Sequence, residues 1–73
     1  MIEKAINALL KAVPGRTPIG YWMIGKGIII KIAPTSTEED YHEELLFYVE
    51  GNKVKITNPM EHPVIINKPM IKL

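Results

Sequence analysis

"GYWMIGKG", Gly20–Gly27, decides how the chain is read. Its spacing, G-x-x-x-x-G-K-G, falls one residue short of the phosphate loop G-x-x-x-x-G-K-[ST]. Such a loop needs backbone N–H groups free to converge on an anion. It also needs a hydroxyl for a magnesium ion and a following helix whose N-terminus meets the phosphate. Here the loop interior is Tyr21, Trp22, Met23 and Ile24, bulky residues that favour strand. Gly27 stands where the hydroxyl belongs, and Ile28-Ile29-Ile30-Lys31-Ile32 follows, a β-branched run. Before Gly20, Thr17-Pro18-Ile19 is too short to be the leading strand. The stretch is therefore read as a β-hairpin with Lys26 as a turn residue. Ile19–Ile24 goes up, Gly25-Lys26-Gly27 turns, and Ile28–Ala33 returns.

This hairpin is apolar on both faces. Tyr21, Met23, Ile28, Ile30 and Ile32 fall on one side, and Trp22, Ile24 and Ile29 on the other. Something must cover each face. Ile2, Ala5, Ile6, Leu9, Leu10 and Val13 recur at helical spacing, so residues 2–13 form an amphipathic helix that covers one. Glu3 and Lys11 suit its dipole, and Pro14-Gly15 ends it. The other face must meet a second hairpin, in a barrel or sandwich, or meet another subunit. Trp22, Ile24 and Ile29 are accordingly the expected interface residues.

The second hairpin is Leu45–Glu50 and Lys53–Asn58 around Gly51-Asn52. A two-residue turn pairs Glu50 with Lys53, Val49 with Val54, Tyr48 with Lys55 and Phe47 with Ile56. Leu45, Phe47, Val49, Val54 and Ile56 then share a buried face. Tyr48, Glu50, Lys53, Lys55 and Thr57 share a wet one. Thr35 to Asp40 offers overlapping capping boxes, and a short acidic helix over 38–44 competes with a loop. In the tail, Val64-Ile65-Ile66-Asn67 reads as a short strand that its flanking prolines, Pro63 and Pro69, place at a sheet edge.

The expected fold is a single α+β domain over residues 1–73. An N-terminal amphipathic helix packs on a small antiparallel sheet, or a partly closed barrel, of four to five strands. In element order this is similar to the small Sm-like and SH3-like barrels, although no motif of either is present.

Candidate chemistry is sparse. There is no cysteine, a single serine (Ser36) and a single aspartate (Asp40). A triad would draw on Ser36, Asp40 and His42 or His62, three of which lie in one polar stretch without a rigid frame. Glu38, Glu39, Glu43 and Glu44 read as a solvated acidic face. His42 and Glu38 share an i, i+4 spacing, but two histidines and no thiolate make a poor metal set. The expectation is no catalytic residue, no cofactor and no metal: a protein that is not an enzyme.

The formal net charge of +1 hides an asymmetry. Residues 38–50 carry six acids and no lysine or arginine, and every lysine lies outside them. Tyr48, Lys53 and Lys55 on the wet face could stack bases and neutralise phosphates, the alternative nucleic-acid reading. The acidic stretch and the single arginine, Arg16, weigh against it.

The longest apolar run, 19–33, is too interrupted to span a bilayer, and no signal peptide is evident. A cytoplasmic location is expected, with no membrane partner. So short a chain, without disulfide or metal, lacks the usual staples. The leading expectation is a small interaction module that binds protein and associates with itself, most simply as a dimer.

Overall fold

The structure is a computed structural model that describes residues 2–33 and 45–73. It comprises α1 (Ile2–Ala12), β1 (Pro18–Ile24), β2 (Gly27–Ile32), β3 (Leu45–Glu50), β4 (Lys53–Thr57), α2 (Val64–Asn67) and β5 (Ile71–Lys72). The strands form one antiparallel sheet in the order β4-β3-β2-β1-β5. β4 and β5 do not pair with each other, so the sheet is open. The α+β class holds, and of the two architectures expected the open sheet is the one formed. The acidic segment expected to be helix or loop over 38–44 lies outside the described residues.

The first hairpin forms where the sequence places it, with a tighter turn. Ile24 pairs with Gly27, so the turn is Gly25-Lys26 alone and Gly27 is already strand. Gly25 takes φ 53°, a left-handed backbone that a side chain disfavours. Tyr21 faces Ile30, Met23 faces Ile28 and Trp22 faces Ile29. The two expected apolar faces are therefore real.

The second hairpin has the expected register, from Glu50–Lys53 to Phe47–Ile56, with Gly51 at φ 65° in the turn. It does not fold over the first hairpin. β3 pairs with β2, Ile29 opposite Tyr48 and Ile30 opposite Phe47, so the hairpins extend one another side by side. Each face of the sheet then needs its own cover.

α1 covers one face, packing over β2, β3 and β4. Ala5 and Leu9, one turn apart, point inward against Ile28, Ile30, Ile32, Phe47 and Val49. Leu9, Ile30 and Ile32 are fully buried. Ile56 lies on this same side but is 60% exposed, although Val54 of the same strand packs against the α1 core. Its place on the expected buried face is right; its burial is not.

The other face is wet only toward β4, where Glu50, Lys53 and Lys55 are exposed; over Ile29 and Leu46 it is covered. After β4 the chain turns at Asn58, whose Oδ1 accepts from the backbone N–H groups of Met60 (2.8 Å) and Glu61 (3.2 Å). It then crosses the sheet from the β4 edge to the β1 edge as a strap, residues 58–70. Within it, Val64–Asn67 is a short helix, correcting the expected edge strand. The segment lies over a face, where no strand ladder is in reach, so its amides are satisfied locally: Ile65 N–H donates to His62 O and Ile66 N–H to Pro63 O. Pro63, with φ −61°, opens the turn without loss, since its missing N–H would be unpaired there. The edge strand that the tail does provide is β5, which extends the sheet beyond β1 through the Tyr21–Ile71 and Gly20–Lys72 pairs.

Candidate interaction surfaces

The strap decides the fate of the expected interface. Ile65 is buried against Ile29 and Leu46, with Trp22, Ile24 and Tyr48 packed around them. Ile29 is 0% exposed, so it is filled by the chain's own Ile65 and has no surface for a second subunit. Trp22 and Ile24 are half-buried at the rim of this cluster. The indole Nε1–H of Trp22 donates to Lys68 O at 2.9 Å, and the Lys68 ammonium donates to Met23 O at 3.0 Å. These two bonds tie the end of the strap to β1. Met70 lies directly over Gly20, in space that a Cβ would fill. The structure brings Trp22, Ile24 and Ile29 together, as the spacing implies, but beneath the strap.

Tyr48 is held from both sides. His62 stacks on its ring, with centroids 5.2 Å apart and planes inclined by 22°. On the sheet side the ring lies against Gly27, where an added Cβ would come within 2.5 Å of three of its atoms. The hydroxyl donates to Glu50 Oε1 at 3.2 Å. Burial, then the nearby Glu50 carboxylate and this hydrogen bond, raise the Tyr48 pKa above the ordinary phenol value. Lys53 and Lys55 stand exposed on the same side of the sheet. They border a small recess of about 170 Å³ that Tyr48 and Glu50 also line. The alternative nucleic-acid trio is thus brought together, but the aromatic face is occupied and a carboxylate sits among the lysines. Thr57, expected on the wet side, is buried, and its Oγ1–H donates to Glu61 Oε1 at 3.0 Å.

The phosphate-loop geometry is absent at Lys26, which lies in the turn between two strands. Ser36, Glu38, Glu39, Asp40, His42, Glu43 and Glu44 lie outside the described residues. His62 is engaged with Tyr48, and among the described residues no three His, Cys, Asp or Glu side chains gather as a metal set.

A surface absent from the sequence reading lies on the helix side, over β1 and β5. Tyr21 is opposite Ile71, and Leu73 N–H donates to Ile19 O, which extends the ladder by one residue. Met23, two residues beyond Tyr21, continues the row. Met23 is 49% exposed, Ile71 49% and Leu73 54%. Sequence did hold a signal for this strip: Ile71-Lys72-Leu73 alternates with strand period after Pro69. Among the described residues no helix is long and apolar enough to cross a membrane. No family model, curated protein or solved structure matches the chain.

Proposed function

We propose that the chain is a non-catalytic interaction module that associates with itself, through the strip Tyr21, Met23, Ile71 and Leu73. The observation that carries this reading is the row of half-exposed apolar side chains at the β1–β5 end of the helix face. α1 packs chiefly over β2, β3 and β4; Tyr21 leans on the core it covers, while Met23, Ile71 and Leu73 stay half-exposed. An apolar row of this kind on so small a domain gains most by meeting its own copy about a twofold axis. The sheet edges are poor joints by comparison. β4 carries Lys53 and Lys55, and β5 is two residues long, both features that discourage edge-to-edge pairing.

Light scattering across a concentration series tests the proposal. The expected result is twice the chain mass at high concentration, reverting to one chain on dilution. A single-chain mass at every concentration rejects it. Nucleic-acid binding ranks second because His62 and Gly27 already flank the Tyr48 ring.

A further inference from the structure

The turn end of the sheet holds a feature that self-association does not explain. Between α1 and the two hairpin turns lies an open cleft of about 250 Å³. Its floor is Ala5, Ile28 and Val49, all buried, and Met23 forms one wall. Lys4 reaches it from α1, and Lys26 from the β1–β2 turn. Gly51, in the β3–β4 turn, adds no side chain to the lining. Among the described residues no carboxylate lines the cleft, and neither lysine has a hydrogen-bond or ion-pair partner there. Glu50, adjacent in sequence, is engaged on the opposite face by the Tyr48 hydroxyl.

We propose that this cleft binds a small carboxylate carried on a short aliphatic stem. Two ammonium groups from different elements supply a field that an anion relieves. The apolar floor beneath them gains from a stem that displaces water. Neither part alone matches both features: an inorganic anion would leave the floor wet, and a neutral hydrocarbon would leave the charges unanswered. The volume sits just below the usual range of small-molecule sites, about 300–1,000 Å³, which suits a ligand of few heavy atoms.

The test is an NMR titration of the isotope-labelled chain with octanoate, and with octanamide as a neutral match in shape. Saturable shifts are expected at the amides of residues 4–5, 23–28 and 49–51. Octanoate should bind about tenfold more tightly than octanamide, the effect of two exposed charge contacts. Lys4→Gln combined with Lys26→Gln should abolish that difference while leaving octanamide binding unchanged. Both lysines are exposed, so the fold survives, and the spectrum itself reports it. Repeating the titration on Leu73→Lys separates the cleft from self-association, since Leu73 does not line it. Equal binding of the two probes, unsaturated or dispersed shifts, or no shift overturns the proposal. So does a short oligonucleotide that moves the same amides at lower concentration than octanoate.

Discussion

Gly27 and Gly20 are both flat places on which another side chain rests, yet substitution should affect them differently. A Cβ on Gly27 meets the ring of Tyr48, a rigid plane already fixed by His62. A Cβ on Gly20 meets the Met70 thioether, an unbranched side chain that can swing aside. Gly27→Ala should therefore cost about 1–3 kcal/mol in urea denaturation, as overpacking does, and Gly20→Ala clearly less. Equal costs would mean that the Tyr48 ring is free to move. Tyr48 also predicts a pH effect. Its folded pKa is raised, so the folded state holds the phenolic proton more firmly than the unfolded chain. The stability it contributes is complete below the unfolded value near 10 and is lost as pH rises through the folded value. Thermal melts of wild type and Tyr48→Phe should differ in slope above that pH and run parallel below it. The turn role of Gly25 was legible from Gly-Lys-Gly between apolar runs. The role of Gly27 was not, because it rests on Tyr48, twenty-one positions away.

Elements were legible to the extent that their signals are local. The helical spacing of Ile2 to Val13 and the period-two alternation around Gly51-Asn52 each fix a structure within a dozen residues, and both formed. Val64-Ile65-Ile66 misled because β-branched residues favour strand only where a ladder is available. Here they cross over a face, and Pro63 starts a helical turn instead. The two elements on either side of the sheet should be separable by mutation. Phe47→Ala strikes the α1 side and should cost about 3–5 kcal/mol, enough to threaten the whole of a small domain. Ile65→Asp strikes only the strap side, where the buried cluster is Ile29, Leu46 and Ile65. It should release the strap, shift Trp22 emission to the red and raise amide exchange over residues 62–68. Amides of α1 should keep their protection. Loss of protection in α1 at the same rate would show that strap and helix fold as one unit.

At the scale of the whole molecule, an open sheet with an intrachain cover on each face replaces the choice between barrel and subunit contact. Sequence correctly required two covers. It could not show that the second would come from the tail, since the strap is held by scattered contacts without periodicity, among them His62 on Tyr48, Ile65 on Ile29 and Leu46, and Lys68 on Trp22 and Met23. The position of the remaining apolar surface then follows from the length of α1. Eleven residues span roughly 16 Å at the ordinary helical rise, and that length lies mainly over β2, β3 and β4, so Met23 at the end of β1 and Ile71 in β5 stay half-exposed on that side. Introducing charge at Ile29 would unseat Ile65 and so would confound folding with association. Charge on the strip does not carry that cost, because Met23 and Leu73 are half-exposed already. Met23→Lys with Leu73→Lys should stay folded, with an unchanged amide exchange pattern in α1, and run as a single chain at concentrations where wild type is paired. The melting temperature of wild type should rise with concentration, and that of the double variant should not. If both melt identically at every concentration, the strip is only the exposed end of a core that α1 is too short to cover.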